Sequence, residues 1–459
     1  MSIFRNHLPI MGASGAQSTG YTIDQSIRFN DDDNPYMERT YGTGGNVDKW
    51  TVSFWMKRSN LGIEIGIFGA GNSNSSTTDI QFKTDDTLVF WQYAGAYQTR
   101  LITNQVFRDT SAWYHVVVIY DSGNDIAAER ARMYINGERV TSFGTELYPS
   151  QNQDGIAGSN VKIGFGRYIS NGNRSFDGYL AEMHYVNGYA YGPEYFGEFK
   201  SGTDIWIPKE YTESYGTGGF FVDGRDSGDL GDDESGNGND LSTSGLATND
   251  QVSDSPTNNW CTLNNLLNNG CTYKNGNLEV YPPNLSTAHR LVLPTMGILP
   301  SDTNKYYWEI KYLSSDNSSS VNMLGIAGLN RGDNPASATL NGDGHGYGLG
   351  YNTSTSNIYG GSQWTNNGSP SWSGGFTAGA IYGVAYDGST KRIYFYENNT
   401  ALNSGNHFAT YGGDSPLGPG ASLYYSSSSI QLIFNMGANG FAYTPPTGYV
   451  AVNTLNLGS

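Results

Sequence analysis

The chain has 459 residues and a formal net charge of −17 at pH 7. Such an acidic surface argues against binding to nucleic acids or to anionic lipid, because both require basic side chains. A neutral glycan, a cation-bearing glycan and a basic protein remain compatible partners. The 61 glycines and 34 tyrosines, with only 15% charged residues, are typical of many short strands connected by tight turns. We therefore expect an all-β protein with no nucleic-acid partner and no membrane insertion.

The N-terminal segment, residues 1–19, is small and polar after a short apolar pattern. We interpret it as an arm that either docks on a partner or is a frayed terminus. It contains no apolar stretch long enough for a secretory signal, and the chain contains no run of about 18 apolar residues. We therefore expect synthesis in a cytoplasm without a signal peptide.

Residues 20–205 are predicted to form an antiparallel β-sandwich. Apolar and polar residues alternate in short segments, and clusters of Gly, Asn and Asp separate these segments without intervening helices. One exception, residues 125–130, is predicted to form a helical turn. The predicted strands are residues 26–30, 50–57, 63–68, 79–83, 87–92, 113–120, 131–135, 161–165 and 178–186.

Residues 206–270 are rich in Gly, Ser, Asn and Asp and carry no helical period, yet they contain Trp206, Phe220, Phe221 and Trp260. A disordered tether would lack such side chains, because burial of apolar surface is what offsets the entropy of ordering. We interpret the segment as an ordered, irregular connector whose four aromatic side chains are buried against one or both sandwiches.

The chain has two cysteines, Cys261 and Cys271, which are too few for a disulfide framework. Their spacing permits one loop-closing bridge, although two reduced thiols are favoured. A second β-sandwich with a C-terminal tail is predicted for residues 271–459 from the same alternating pattern. Its predicted strands are residues 304–312, 323–329, 346–351, 381–386, 392–397 and 430–434.

Two sets of short motifs occur in a fixed order. Between residues 20 and 200 they are SIRFNDDDNPYM, WTVSFWMKR, SAWYHVVVIYD, ARMYINGERV, VKIGFGR and FDGYLAEMHYVNG. This set resembles laminin-G-like domains, which are jelly rolls of the concanavalin A type. Between residues 270 and 445 the motifs are YYWEIKY, MLGIAGL, YGLGYN, FTAGAIYGVAYDGSTKRIYFYENN and IQLIFNMG. This second set resembles a SPRY domain, and the two resemblances together imply two antiparallel jelly-roll sandwiches.

The segment between the two sandwiches contains the most distinctive sequence motifs, and a further one lies at the C-terminal end. The motifs are FGEF, WIPKEY, SYGTGGF, LGDDESGNGND, DSPTNNWCTLN and FAYTPPTGYVAVNT. The whole arrangement is similar to virion structural proteins of tailed phages that join a laminin-G-like domain to a SPRY-like one. It departs from them at NMGANGF and VDGRDSGD, which weakens the transfer of single residues more than the transfer of the architecture.

This resemblance implies a non-enzymatic protein of the virion surface, a fibre or adhesin that recognises host-surface glycans. It implies other virion proteins of the capsid or tail as partners. It also implies a homo-oligomer, with a trimer as one option, although no heptad repeat supplies a trimerisation seam. Two alternatives stay open at this point: a capsid decoration or cement protein, and a polysaccharide depolymerase.

Catalytic residues are not expected. Hydrolases of the laminarinase type place paired acids on one strand as Glu-x-Asp-x-x-Glu, and the chain contains no Glu-x-Asp. It also lacks Gly-x-Ser-x-Gly, His-Glu-x-x-His and Cys-x-x-Cys. Alternation places Glu182 and His184 on one face of a late strand, but one carboxylate and one imidazole are not a glycosidase pair. We interpret them as structural.

An early acidic loop is a candidate calcium site, because calcium prefers several oxygen ligands. The resemblance to laminin-G-like sandwiches implies that this loop lies near the late FDG strand, so that four carboxylates converge: Asp32, Asp33, Asp177 and Glu182. The alternative is a solvated turn. A second acidic cluster, residues 223–233, lacks EF-hand spacing and is either a further calcium site or solvated surface.

Two groups of aromatic and amide side chains are candidates for glycan binding, since sugar CH groups pack on aromatic faces and amides bond to hydroxyls. The first group is Trp91, Tyr93 and Tyr97. The second, in the SPRY-like half, is Tyr347, Tyr351, Tyr359, Trp364, Asn366, Asn367 and Trp372. The alternative for each side chain taken singly is packing beneath a long loop.

Overall fold

The structure is a computed structural model that describes residues 20–42, 45–158, 160–170, 172–267, 269–283, 288–313, 322–332, 334–352, 355–424 and 431–457. The described residues form two compact units, which meet in the sequence between Asn258 and Asn259. The N-terminal arm predicted for residues 1–19 lies outside the described residues. Within the described ranges, no helix is both long and apolar enough to cross a membrane.

Within its described residues, the first unit contains eighteen strands and one short α-helix, α1 (Ala127–Arg130). Three 3₁₀ turns occur at Asp31–Asp33, Pro193–Tyr195 and Thr248–Asp250. The strands are β1 (Ser26–Phe29), β2 (Tyr36–Thr40), β3 (Lys49–Arg58), β4 (Ile65–Ser73), β5 (Ser76–Phe82), β6 (Thr87–Ala94), β7 (Tyr97–Val106), β8 (Tyr114–Asp121), β9 (Ala131–Ile135), β10 (Glu138–Arg139), β11 (Phe143–Leu147), β12 (Lys162–Phe165), β13 (Gly178–Asn187), β14 (Gly197–Phe199), β15 (Trp206–Pro208), β16 (Phe220–Val222), β17 (Ser242–Ser244) and β18 (Gln251–Val252).

Two antiparallel sheets of this unit pack face to face. The β3 sheet has the strand order β10-β9-β8-β3-β13-β1-β18, with β16 paired to β13, and the β6 sheet has the order β11-β7-β6-β5-β4-β12-β2-β17. Between them lies a core to which Trp50 and Phe54 of β3 and Phe90 of β6 contribute. Along β3 the core side chains Trp50, Val52, Phe54 and Met56 recur at every second residue, because successive side chains of a strand point to opposite faces.

Strand β13 contains a β-bulge that changes which side chains reach the core. Its pairing with β3 shifts between Ala181 and His184, and Glu182 adopts φ 48°, a left-handed conformation that few residues other than glycine adopt. Because of the extra residue, Leu180 before the bulge and Met183 and Tyr185 after it all enter the core. His184 lies on the other side of the sheet, where its ring stacks on Phe221 at 4.3 Å.

The connector predicted for residues 206–270 is not a separate element in the described structure. Three of its strands extend the sheets of the first unit, since β16 pairs with β13, β17 with β2 and β18 with β1. The unit boundary lies after Asn258. Of the four aromatic side chains expected to be buried, Phe220 is buried and Trp206, Phe221 and Trp260 are half-buried.

The predicted connector packs on the first unit because both faces of the β3 sheet have to be covered. Strand β13 is buried along its whole length, which a single core on one side cannot achieve. Val117 and Ile119 of β8 project to the outer face, where they pack with Val186 and Phe196 and with tyrosines of residues 188–215. We call residues 188–222 the covering segment. The covering segment crosses the outer surface of the β3 sheet. Its sequence therefore lacks the regular period of a strand or a helix.

His115 of β8 lies beneath the covering segment. Its Nδ1 accepts a hydrogen bond from Trp206 Nε1 at 3.0 Å, and its Nε2 lies 2.8 Å from Ser53 Oγ. Because Nδ1 accepts, the ring is neutral, carries its proton on Nε2 and donates it to Ser53. Burial lowers the pKa of His115 to about 3, with nearby His184 as the smaller cause.

In the part of the second unit that the structure describes, there are fifteen strands and one 3₁₀ turn at Asn403–Gly405. The strands are β19 (Thr272–Lys274), β20 (Glu279–Tyr281), β21 (Arg290–Val292), β22 (Lys305–Tyr312), β23 (Asn322–Gly328), β24 (Tyr347–Asn352), β25 (Thr355–Gly360), β26 (Trp364–Asn366), β27 (Ile381–Asp387), β28 (Arg392–Glu397), β29 (Thr400–Ala401), β30 (Ala409–Tyr411), β31 (Leu417–Leu423), β32 (Leu432–Asn435) and β33 (Tyr449–Val450).

These strands also form two sheets, and among the described residues the larger of two buried hydrophobic clusters draws on both of them. The larger sheet has the order β19-β20-β32-β22-β27-β28-β30-β26, with β29 beside β28 and β33 beside β22, and the smaller has the order β21-β31-β23-β24-β25. Trp308, Ile310 and Tyr312 alternate from β22 into the core. Cys261 and Cys271 are both free thiols. Both units are therefore all-β, as the sequence predicts.

The buried neutral His115 makes the first unit sensitive to acid. The unfolded chain binds a proton near the ordinary pKa of 6.5, whereas the folded chain binds it only near pH 3. Stability is thus fully present above the unfolded pKa and falls as the pH drops through this window, by about 1.4 kcal/mol per pH unit for one proton. We expect His115→Gln to lack this pH dependence of the free energy of unfolding. The measurement is urea denaturation of the first unit, followed by hydrogen exchange of the β8 amides. Equal slopes between pH 6 and pH 4 in the two proteins would contradict the buried neutral ring.

Candidate functional site on the outer face of the β6 sheet

The outer face of the β6 sheet carries the first predicted aromatic group. Leu88 and Phe90 of β6 fill the core, so alternation places Trp91 and Tyr93 on the opposite face. Trp91 and Tyr93 are half-buried, and Tyr97 of β7 is 37% exposed. The structure thus brings together three side chains that the sequence singles out and leaves them accessible to solvent.

A tight hairpin determines the spacing of these rings. Strands β6 and β7 are joined at Gly95, which has φ 73° and supplies the positive dihedral angle that the turn requires. Tyr93 and Tyr97 are therefore cross-strand partners, and their ring centroids lie 5.2 Å apart at an angle of 76°. The ring of Trp91 lies 5.4 Å from that of Tyr97. The three rings form one continuous surface.

Arg100 of β7 borders this surface. It is the cross-strand partner of Trp91, and its guanidinium carbon lies 4.4 Å from the centroid of the Tyr97 ring. Within the described residues its Nε has no hydrogen-bond partner. The guanidinium group packs against an aromatic ring, and its Nε is buried as well as unpaired. We call Trp91, Tyr93, Tyr97 and Arg100 the aromatic face.

A buried carboxyl group fixes the orientation of the indole. Asp79 of β5 lies opposite Trp91, and its Oδ2 accepts hydrogen bonds from Trp91 Nε1 at 2.8 Å and from Thr77 Oγ1 at 2.7 Å. Asp79 is fully buried, and its Oδ1 has no partner among the described residues. Burial raises the pKa of the Asp79 carboxyl well above its ordinary value, although these two hydrogen bonds and Arg174 act in the opposite direction.

The cover over Asp79 comes from the turn that follows β12. Tyr168 is buried and lies 6.5 Å from the Trp91 ring. A Cβ atom at Gly69 of β4 would lie 3.0 Å from Asp79 Oδ1 and 3.2 Å from Ile169, so the glycine lets the turn approach the sheet closely. Asp79 therefore acts on the surface only through Trp91.

Sequence reasoning missed Asp79, Arg100 and Tyr168. Strand β7 is absent from the predicted strands, so no pattern placed Arg100 beside Trp91. A signal did exist for Asp79, because residues 76–82 and 87–94 are joined by a short polar turn that favours a hairpin and brings Asp79 opposite Trp91. The burial of Tyr168 depends on a turn that strand periodicity does not describe.

The second predicted aromatic group is not an exposed platform. Tyr347 is fully buried, and Trp364 and Trp372 are each 8% exposed; all three belong to the core of the second unit. Trp364 Nε1 donates to the carbonyl of His345 at 2.6 Å, and the Trp372 ring lies 5.1 Å from Phe376. The expectation that these faces contact a glycan is therefore corrected, because their apolar area is already covered.

The other four members of that group lie nearer the surface without forming a platform. Tyr351 and Tyr359 are half-buried and pack against the hydrophobic clusters of the second unit. Asn366 and Asn367 are exposed. The first of these amides accepts a hydrogen bond from the Tyr347 hydroxyl, and the second donates one to the carbonyl of His407. The group is a packed part of the sandwich.

The predicted calcium site is also corrected. Asp32 and Asp33 lie on an exposed 3₁₀ turn, whereas Asp177 and Glu182 are buried. Glu182 accepts a hydrogen bond from the Tyr21 hydroxyl at 2.9 Å and lies 3.4 Å from His184 Nε2. Across the described ranges, including residues 223–233, no three His, Cys, Asp or Glu side chains form a group able to hold a metal ion. The four carboxylates do not converge.

Comparison with known proteins agrees with this architecture. Residues 30–190 match the family model of the concanavalin A-like lectin/glucanases superfamily. The first sandwich is a concanavalin A-like jelly roll. The match covers less than half of the chain, and no curated protein matches it.

Solved structures give likenesses of fold alone. A native heptameric SAP-like pentraxin of Limulus polyphemus is 18% identical with a TM-score of 0.28, over 37% of this chain and 78% of that one. Domains LG4-5 of the mouse laminin alpha1 chain are 9% identical with a TM-score of 0.31, over 93% of both chains. The SPRY domain of human HERC1 is 14% identical with a TM-score of 0.25, over 36% of this chain and 91% of that one.

The raised pKa of Asp79 predicts a pH-dependent cost of burial. A carboxyl group whose folded pKa is raised favours folding below its unfolded pKa, about 3.9, and loses this contribution as the pH rises through the folded value. Asp79→Asn keeps an acceptor for Trp91 and Thr77 without a charge. We expect the variant to melt about 2–4 °C higher than the native protein at pH 8, a shift that corresponds to about 1 kcal/mol. At pH 4 the difference should vanish, and a pH-independent difference would contradict the buried acid.

The position of Trp364 predicts a loss of stability when it is truncated. Trp364→Ala should destabilise the second unit by about 3–5 kcal/mol, because it leaves a cavity in the core. Trp364→Phe should cost about 1–2 kcal/mol, since it keeps a ring and loses the bond to His345. Both values are measurable by urea denaturation followed by hydrogen exchange of β27 amides. An unchanged stability of Trp364→Ala would contradict the core position.

Proposed function

We propose that the protein is a lectin-like, non-enzymatic glycan-binding protein and that the aromatic face is its sugar site. The observation that carries this proposal is the convergence of Trp91, Tyr93 and Tyr97 on an accessible sheet face, with neighbouring ring centroids 5.2 Å and 5.4 Å apart. Aromatic rings in solvent offer a surface on which the CH groups of a pyranose pack.

The polar border of the aromatic face suits the hydroxyl groups of a sugar. Arg100 presents guanidinium donors beside the ring of Tyr97, and sugar hydroxyls accept from such donors. The hydrogen bond from Trp91 to Asp79 holds the indole before any ligand arrives, so binding does not have to restrict that side chain. Preorganisation of this kind raises affinity by lowering the entropic cost of association.

Binding without hydrolysis is the reading that the geometry favours. Glycoside hydrolases use two carboxyl groups about 5–9.5 Å apart that reach the scissile bond from the two sides of the sugar. Asp79, a carboxyl group at this site, accepts the hydrogen bond of the indole N–H of Trp91 and is fully buried. It orients an aromatic side chain and does not meet the ligand.

The sequence resemblance to tailed-phage virion proteins extends the proposal to a setting. In that setting the protein is a fibre or adhesin at the virion surface, its ligand is a glycan of the host surface and its partners are other proteins of the capsid or tail. Display in several copies as a homo-oligomer would let weak single contacts add up through effective concentration.

The proposal predicts that glycan binding depends on Trp91 and Tyr97. On an array of bacterial surface polysaccharides the native protein should bind at least one glycan. Trp91→Ala and Tyr97→Ala should each weaken that binding about 30-fold, which corresponds to about 2 kcal/mol and is typical of a central aromatic contact. Phe199→Ala, which truncates a ring that is 44% exposed on another surface, is the matched control and should bind as the native protein does.

Three results would each contradict one part of the proposed function. Unchanged binding by both Trp91→Ala and Tyr97→Ala would remove the aromatic face as the sugar site. Release of reducing ends from the bound polysaccharide would refute the non-enzymatic assignment. Particles that lack the protein, adsorb normally and lose shell stability would favour a capsid decoration role over attachment.

A further inference from the structure

The covering segment presents a second aromatic surface, on the opposite side of the first unit's core from the aromatic face. Tyr191 lies at its centre, with the rings of Tyr189 at 5.2 Å, Tyr195 at 4.5 Å and Tyr211 at 6.1 Å. Tyr189 and Tyr191 are parallel to within 4°. We call these four residues the tyrosine surface.

This surface is firmly attached to the sheet beneath it. The Thr51 hydroxyl of β3 donates to the carbonyl of Tyr189 and accepts from the amide of Tyr191. The ring of Tyr211 stacks on the buried Phe196 at 4.8 Å. Tyr189 is 39% exposed, and Tyr191, Tyr195 and Tyr211 are half-buried. The rings are thus held in place from below and open to solvent above.

A carboxylate stands beside the rings. Glu213 is exposed, and after burial it is the largest cause that raises the pKa of Tyr191. It also contributes to the raised pKa of Tyr211. The geometry agrees, because the Tyr211 hydroxyl donates to the carbonyl of Ser214, the residue that follows Glu213, at 2.8 Å.

The surroundings are acidic as well. Residues 188–215 contain five carboxylates, all exposed, and two lysines. The carboxylates are Glu194, Glu198, Asp204, Glu210 and Glu213, and the lysines are Lys200 and Lys209. Lys209 Nζ donates to the carbonyl of Glu194. An excess of negative charge around exposed aromatic faces is complementary to a cation, since the ring quadrupole and the carboxylates attract it together.

We propose that the tyrosine surface is the docking site for a basic segment of a partner protein, whose arginine or lysine side chains lie against the tyrosine rings beside Glu213. A second copy of this chain would bring the same acidic surface into contact with itself. A neutral sugar would use the rings and donate hydroxyl hydrogen bonds to a carboxylate, but it carries no charge for the excess of negative charge to attract. This surface is distinct from the aromatic face and does not depend on the glycan-binding proposal.

The test uses the full-length protein and a fluorescent peptide of alternating arginine and glycine. The control peptide replaces each arginine by citrulline, which has nearly the same shape and no charge. Fluorescence anisotropy should detect binding of the arginine peptide, and the citrulline peptide should bind at least about tenfold more weakly.

Variants locate the binding on the protein. Glu213→Gln should weaken binding of the arginine peptide about fivefold. Glu138→Gln, which removes an exposed carboxylate of β10, should leave that binding unchanged. Tyr189→Leu removes the π system at similar apolar area and should weaken binding about fivefold, whereas Tyr189→Phe keeps the ring and should bind normally. Melting temperatures near that of the native protein confirm that each variant is folded, because Tyr189 and Glu213 are both exposed.

The inference is overturned by any of four outcomes. These are equal binding of the two peptides, equal effects of Glu213→Gln and Glu138→Gln, a Tyr189→Leu variant that binds as tightly as the native protein, and no binding of the arginine peptide at low salt. A loss of glycan binding in Tyr189→Leu would instead assign the surface to the sugar.

Discussion

Burial of both faces of the β3 sheet is the constraint on which the first unit depends. Strand β13 is buried along its whole length, and β3 is buried along all but its first residue. A two-layer sandwich covers one face of each sheet, so the outer face of the β3 sheet needs a third layer. The covering segment supplies this layer. It also provides hydrogen-bond partners for the polar side chains it buries, since Trp206 bonds to His115 and Tyr215 to His184.

The two outer faces of the sandwich therefore differ in chemistry. On the β3 side the covering segment buries the outer face of the sheet, and only the upper surface of that segment is exposed to solvent. On the β6 side a short turn with Tyr168 covers part of the sheet and leaves Trp91, Tyr93 and Tyr97 accessible. The proposed sugar site lies where the cover ends, with Asp79 buried beneath it as the acceptor that orients the indole.

The sequence predicts what depends on local alternation. Strands near residues 50–57, 113–120 and 178–186 follow from it and occur as β3, β8 and β13. It does not predict which side of a strand is covered, because tertiary pairing decides this. Trp364 and Trp91 are each followed by a polar residue, Thr365 and Gln92, yet Trp364 is a core side chain and Trp91 borders solvent. The bulge at Glu182 reverses alternation within a strand, and the irregular covering segment has no period that could reveal its role.

Fluorine NMR of protein labelled with 5-fluorotryptophan distinguishes sugar binding at Trp91 from sugar binding in the second unit. The nine tryptophans can be assigned by single Trp→Phe substitutions, and the polysaccharide that the protein binds is then titrated. If sugar binds on the aromatic face, the Trp91 signal shifts and saturates, while the signals of the buried Trp308, Trp364 and Trp372 stay unchanged. A constant Trp91 signal, or shifts confined to Trp364 and Trp372, would contradict it.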